Sequence, residues 1–275
     1  MIFKSSTVGG LTFHTLLNDQ IISKSIELYG EWCFGEIELI ARLLTKDANL
    51  IELGSNIGSH TVFLAKYTNK GLVYAFEPRR IYFQTLCANL IANGNSNVYA
   101  FPLGVADKAD MRLEGEVPSN VGINAGGFAI GDLPGSDEQI DLICLDDKID
   151  RLKPISLIKA DIEGYELAAL KGAQKLIRRD RPLLYLEAND TPEAPKLLRY
   201  LSDLGYASWW HTPPYFRTQN RGGMIQNIFG NWRSYNVIAC PSDQHKDIAG
   251  KIAGLPNVTP IENFDWHPAR VNGKA

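Results

Sequence analysis

NLIELGSNIGSHTVFLAKYTNKGLVYAFEP, residues 49–78, is the stretch that decides the fold. Leu50, Ile51 and Leu53 form an apolar run broken only by Glu52, the pattern of a strand buried on both faces of a parallel sheet. Gly54, Asn56 and Gly58 then make a tight turn, and Ser59 or Thr61 opens a helix over Thr61–Tyr67. After a turn at Asn69–Gly71, a second strand, Leu72–Phe76, ends on Glu77, and Pro78 stops it. One strand–helix–strand unit with a glycine-containing first turn and an acid closing its second strand is a nucleotide-cofactor cradle.

Two details bear on which cofactor it holds. A dinucleotide fingerprint needs Gly-x-Gly-x-x-Gly, because the middle glycine lets the backbone approach a pyrophosphate. Gly54-Ser55-Asn56-Ile-Gly58-Ser-His60 puts a side chain at that point. Glu52 lies just beneath the turn, where a negative charge disfavours a pyrophosphate and suits an ammonium-bearing cofactor such as S-adenosylmethionine. Glu77 can accept both ribose hydroxyls in either case. Any parallel α/β protein carries a glycine in its first turn, so the signal is the combination of Glu52, the glycines and Glu77.

Three blocks, Ile51–Gly58, Ala75-Phe-Glu-Pro78 and Ile158-Lys-Ala-Asp-Ile-Glu-Gly-Tyr-Glu166, resemble the signature blocks of the FkbM family of S-adenosylmethionine-dependent methyltransferases. The likeness continues in Lys171-Gly-Ala173, Leu186-Glu187 and Trp210-His-Thr-Pro-Pro214, and covers roughly residues 20–240. The resemblance implies an α/β, Rossmann-like class I methyltransferase that modifies oxygen, usually a hydroxyl of a sugar or another natural product. Its sheet is expected to be mostly parallel and seven-stranded, with helices on both faces and an N-terminal hairpin and helical extension. The resemblance also implies cofactor contacts at Glu31, Glu52, Gly54, Ser55, Asn56, Gly58, His60, Glu77, Pro78, Val105 and Asp161. In this fold Glu31 and Trp32 sit in the segment that closes over the methionine end, and the turn holding Val105 meets adenine.

Composition sets the outer limits. The 275 residues are 45% hydrophobic and 21% charged, with a net charge of −3, an ordinary globular balance without the basic face of a nucleic-acid binder. Cys33, Cys87, Cys144 and Cys240 have no paired spacing and suit reduced thiols. MIFKSSTVGG lacks the apolar centre of a signal peptide, and no apolar run approaches the ~20 residues of a membrane span. The expectation is a cytoplasmic protein; its oligomeric state is left open.

Along the chain, Phe3–Val8 and Leu11–Leu16 alternate about Gly9-Gly10 as a hairpin does, and Ile21–Leu44 is helical in pattern with a break near Tyr29-Gly30. A helix over Ile81–Asn93, a strand over Asn97–Pro102 and a glycine-rich loop over residues 114–136 follow. Strands are expected at Ser156–Ala160, Leu183–Leu186, Ala207–Trp210 and Asn236–Cys240, with helices at Tyr165–Arg178, Glu193–Leu204 and Asp247–Ala253. This gives one domain over 1–275: an extension (1–48), a core (49–240) with an inserted acceptor or lid loop (211–235), and a tail (241–275).

Ligands of an open parallel sheet lie outside the carboxyl ends of its strands, where Asp161, Glu163, Glu187, Asn189 and Asp190 gather. Helix capping by Asp161, Glu163 or Asn189 explains part of this set. The functional reading makes Asp161 the first candidate base for a hydroxyl proton, with Glu163, Glu187 and His211 beside it. Lys159 is placed to offset these acids. Asp161, Glu187 and Asp190 also offer an oxygen set for Mg2+, although a metal-free site is favoured. Asn189, Tyr215, Asn220 and Asn227 are the candidate acceptor contacts, the last three in an insertion that interleaves aromatic rings with amide and guanidinium donors. The alternative is that these aromatics only seal the sheet edge. The partner is thus a small-molecule or glycan acceptor. The rival functions are an NAD-dependent oxidoreductase and a non-catalytic nucleotide-binding module.

Overall fold

The computed structural model describes residues 3–118, 122, 124 and 126–272. The chain opens with an antiparallel hairpin, β1 (Phe3–Val8) and β2 (Leu11–Leu16). Gly9 and Gly10 turn it at φ +58° and +79°, a left-handed pair that side chains resist. Helices α1 (Ile22–Tyr29) and α2 (Gly35–Leu43) follow, parted at a left-handed Gly30 where the sequence places the break.

The core then alternates strand and helix: β3 (Leu50–Leu53), α3 (Thr61–Tyr67), β4 (Val73–Phe76), α4 (Arg80–Ala92) and β5 (Val98–Phe101). A small sheet of β6 (Gly104–Val105), β7 (Asp110–Glu114) and β8 (Glu138–Ile143) interrupts it. The core resumes with β9 (Leu157–Ala160), α5 (Glu166–Lys171), α6 (Gln174–Asp180), β10 (Leu183–Glu187) and α7 (Ala194–Asp203). The edge is built by β11 (Tyr206–His211), β12 (Asn236–Pro241), α8 (His245–Ile252) and β13 (Val258–Pro260).

The large sheet runs β13-β11-β12-β10-β9-β3-β4-β5. Among the described residues it has eight strands rather than the expected seven. The extra one, β13, is three residues ending on Pro260, too short to show an alternating pattern, and it pairs with Trp209–His211. From β5 to β10 all neighbours are parallel, and β12 and β11 reverse as a hairpin does. Apolar cores fill both faces. Leu50, Leu157 and Tyr185 pack under α1–α4 and α8, while Ile51, Ile158 and Leu184 pack under α5–α7. Burying each such side chain contributes about 1.5–3 kcal/mol, which fixes the register of every central strand.

The single helix expected over Tyr165–Arg178 is two. A Cβ on Gly172 would lie 2.0 Å from the Ala106 carbonyl oxygen, so the chain bends to fit that backbone. Asp146 then receives the N–H groups of Lys175 and Leu176 at the new helix start. Among the described residues no helix is long and apolar enough to cross a membrane. Within the expected 114–136 loop, residues 119–121, 123 and 125 lie outside the described residues.

From β3 the chain steps to one side through β4 and β5, then returns on the other through β9 and β10. The carboxyl ends of β3 and β9 therefore flank a crevice at the switch point.

Candidate functional site

The turn after β3 is set by its neighbours. Gly54 holds φ +78°, and Gly58 holds φ +84° with Leu86 Cδ1 2.8 Å from where a Cβ would stand. Asn56, at φ +48°, is a residue type that tolerates this region. Its N–H donates to Glu77 Oε2 at 2.8 Å, and the Arg79 N–H donates to Oε1 at 3.0 Å. Glu77 thus ties the ends of β3 and β4 together. Burial pushes its carboxyl up to about 7 against those two bonds. A carboxylate has about four acceptor positions, so two remain for a ligand.

Ser59 and Thr61 do not cap α3. The Thr61 hydroxyl donates instead to Glu52 Oε2 at 2.6 Å, and Ser55 Oγ lies 3.3 Å from the same oxygen. Glu52 is 1% exposed. Burial raises its pKa, and the Lys159 charge works the other way. His60 Nε2 lies 3.0 Å from the Trp32 carbonyl oxygen, and burial, then the Lys159 charge, hold its pKa well below the usual range.

Glu52, Gly54, Ser55, Asn56, His60, Glu77, Pro78 and Asp161 all line one cleft of about 700 Å3, counting the solvent at its mouth. Trp32, Phe128 and Ile130 supply apolar walls. Gly58, also expected there, is not among the lining residues. Val105 lines a smaller adjoining cavity with Pro78, Ile130 and Tyr165. Sequence reasoning missed Arg79. Its guanidinium lies 3.0 Å from Glu114 Oε2 in a buried ion pair and donates to the Ala129 carbonyl at 2.9 Å, holding the wall at 128–130 in place. Its place directly after Glu77-Pro78 was the available signal.

At the β9 end three acids converge: one carboxylate oxygen each from Asp161, Glu163 and Glu187 lies within 4.8 Å of the others. Lys159, 2% exposed, sits 3.4 Å from Asp161 Oδ2. Burial alone would lower its ammonium, but Asp161, Glu36 and Glu52 outweigh that and hold it above its usual value. Glu163 holds φ +51°, strained for a residue with a side chain. Burial, then the Asp161 charge, push its carboxyl up to about 8. Burial raises Glu187 well above the carboxylate range, with Asp161 and Glu163 adding to it. Asp190 is elsewhere, paired with Arg270 at 2.8 Å, so the expected Asp161–Glu187–Asp190 grouping does not form.

The turn after β9 is capped neither by Asp161 nor by Glu163. Glu166, which sequence reasoning passed over, accepts the N–H groups of Ile162 at 2.9 Å and Gly164 at 3.4 Å through Oε1. It shares with Glu163, Glu187, Asn189 and Thr191 a second cavity of about 510 Å3, again counting the solvent at its mouth.

Several expected residues stand apart from both cavities. Glu31 is spent on Arg217, 2.9 Å from Nη2 to Oε2, and on the Arg221 N–H. His211, between β12 and β13, meets the Tyr185 hydroxyl at 2.7 Å through Nδ1, and burial takes its pKa down to about 4. Tyr215 packs on Trp32 with ring centroids 4.5 Å apart. The Asn220 amide donates to the Arg217 and Met224 carbonyls at 2.9 and 2.6 Å, and the Asn227 amide to Gly230 at 2.8 Å. The insertion therefore uses its polar groups on its own backbone and on the N-terminal helices. Arg217 lies 4.4 Å over the Phe34 ring, and the Tyr29 hydroxyl donates to Gln226.

The family model described as the Methyltransferase FkbM domain matches residues 52–208, more than half of the 275-residue chain. No curated protein matches the sequence. Among solved structures the chain is similar to methyltransferase FkbM from Methylobacillus flagellatus KT, at 23% identity and TM-score 0.46 over 71% of this chain and 44% of that one. It is also similar to precorrin-6y C5,15-methyltransferase from Geobacter metallireducens GS-15, at 15% identity and TM-score 0.47 over 74% of this chain and 87% of that one. A third, M. jannaschii TYW2 in complex with AdoMet, is 16% identical with TM-score 0.44 over 86% of this chain and 85% of that one. The chain thus spans less than half the length of the Methylobacillus protein.

Proposed function

The chain belongs to the FkbM methyltransferase family, and we propose that it is an S-adenosylmethionine-dependent O-methyltransferase acting on a hydroxyl of a sugar, glycoconjugate or related natural product. The observation that carries this reading is the charge of the cleft. Glu52, Glu77 and Asp161 line it together with, among the described residues, only Lys159 and Arg79 as lysine or arginine, and Arg79 is already committed to Glu114. Such a surplus of buried acid fits a cofactor with a sulfonium and an ammonium, and opposes a pyrophosphate. Glu77 has acceptor capacity left for two ribose hydroxyls, and Phe128, Ile130 and Pro78 offer apolar surface for a base. Asn56, where a dinucleotide fingerprint needs glycine, argues against the oxidoreductase.

Bound in this cleft, S-adenosylmethionine would supply an activated methyl group for displacement by a hydroxyl oxygen, forming one O–C bond as one C–S bond breaks. The protein's part is chiefly orientation, which can lower such a barrier by ~7–11 kcal/mol. Asp161, paired with Lys159 in the cleft and beside Glu163 and Glu187, is the proposed acceptor of the hydroxyl proton, a role typically contributing ~10²–10⁴-fold. Glu163 and Glu187 hold the acceptor beside it. In this reading the reaction runs without a metal, the chain acts as one cytoplasmic catalytic domain, and nucleic acid is not its substrate.

The test is transfer of labelled methyl from S-adenosylmethionine into glycan and small-molecule fractions of the source cell. The expected product is a methyl ether, stable to mild base. Label found only in base-labile esters or in amines would overturn O-methylation of a hydroxyl.

A further inference from the structure

We propose that the second cavity, between α5 and α7, is the acceptor pocket and takes a hydroxyl compound carrying a positively charged amine, such as an amino sugar; this rests on the methyltransferase reading above. The cavity meets the cofactor cleft at Glu163, which lines both. Through the Asp161–Glu163–Glu187 cluster, an acceptor lodged in the second cavity has its hydroxyls beside the acids of the first.

Charge separates this cavity from the cleft. Asp161 has Lys159 and Glu114 has Arg79, but the second cavity is lined by Glu163, Glu166, Glu187 and Glu193 and, among the described residues, by no lysine or arginine. The nearby Lys196 pairs with Glu193 Oε1 at 3.0 Å on the exposed rim and leaves the inner three acids uncompensated. Glu166 points the same way. It is 6% exposed and lines the cavity, its carboxylate is bonded by the N–H groups of Ile162 and Gly164 and by its own, and it has no cation against it among the described residues.

An ammonium brings three donors to such a place, and charge-assisted bonds to carboxylates are about twice as strong as neutral ones. A neutral polyol would leave these acids buried without a counter-charge. Burial already pushes Glu163 up to about 8 and Glu166 to about 7, the cost that a bound cation would relieve. Asn189 and Thr191 add an amide and a hydroxyl for the acceptor's own hydroxyls, and Leu167 and Leu197 give an apolar floor.

The experiment uses the full chain loaded with S-adenosylhomocysteine, with loading checked by calorimetry. D-Glucosamine is titrated against N-acetyl-D-glucosamine and D-glucose at neutral pH, with binding read by ligand-observed NMR. Glucosamine should bind at least about tenfold more tightly than its acetylated twin, the effect of one charge-assisted contact. Glu166→Gln, which keeps the Oε1 acceptor, and Glu193→Gln on the exposed rim should each reduce that preference. Equal binding of the twins, or no detectable glucosamine binding by protein that takes up S-adenosylhomocysteine, overturns the proposal alone. Failure of S-adenosylhomocysteine itself to bind overturns the reading on which it rests, and the proposal with it.

Discussion

A Cβ on Gly54 would lie 1.9 Å from the carbonyl oxygen of Asp161. The loop after β3 and the loop after β9 thus meet backbone to backbone, and the Asp161 N–H completes the contact by donating to the Leu53 carbonyl at 3.1 Å. The residues that shape the cofactor cleft and the residue proposed to take the proton are set by one junction. Gly54→Ala cannot relax there, because the obstructing atom is backbone and φ is +78°. Its expected cost is roughly 2–4 kcal/mol from overpacking and left-handed strain together. Chemical denaturation of the variant measures this, and an unchanged midpoint would refute the junction's importance.

At the acid cluster, Asp161→Asn should fold and bind S-adenosylhomocysteine but lose about 10²-fold or more in kcat, the share a general base contributes. The pairing with Lys159 singles out Asp161, since among the described residues Glu163 and Glu187 have no cation against them. Single-turnover assays on Asp161→Asn, Glu163→Gln and Glu187→Gln decide the matter. Near wild-type turnover by Asp161→Asn, with loss in either of the others, moves the role to that residue.

The raised carboxyls give the stability of the cofactor-free protein a pH dependence. Glu163 at about 8 and Glu77 and Glu166 at about 7 stand above the value of 4.5 they take in an unfolded chain. The folded protein therefore binds these protons more tightly. The stability they contribute is full below about pH 4.5 and is lost as pH rises through 7 to 8. His211 works in the opposite sense and in a lower window. Its folded pKa of about 4 lies below its ordinary 6.5, so its contribution is lost as pH falls from 6.5 to 4. The denaturation midpoint should drop between pH ~6.5 and ~8, and Glu163→Gln should flatten that slope. A midpoint that rises with pH in this window, or a Gln variant with the same slope, would contradict the assignment.

The parts of this protein that were legible in its sequence are those whose constraint is local. Gly54 and Gly58 are backbone demands, Glu77 ends its strand, and apolar runs buried on both faces announce the central strands. Chemistry that depends on distant pairing was not legible. Glu31 is consumed by Arg217, and the polar groups of the insertion by its own carbonyls. Tyr215 and Phe229 have the same composition whether they pack on Trp32, as they do here with centroids 4.5 and 6.0 Å away, or stack on a ligand. Asp190 gave no sign that Arg270 would claim it. Glu166 sat in plain view within Asp161-Ile-Glu-Gly-Tyr-Glu, but its role depends on a turn in which Glu163 is left-handed.

The central claim is that the cleft beside Glu77 holds S-adenosylmethionine, and calorimetric titration of the wild type and Glu77→Ala with S-adenosylhomocysteine and with NAD tests it most directly. Charge-assisted hydrogen bonds contribute about 1.5–3 kcal/mol each, so the variant should bind S-adenosylhomocysteine at least about tenfold more weakly, with no measurable NAD binding by either protein. Tight NAD binding by the wild type, or equal S-adenosylhomocysteine affinity in the two proteins, would contradict the account.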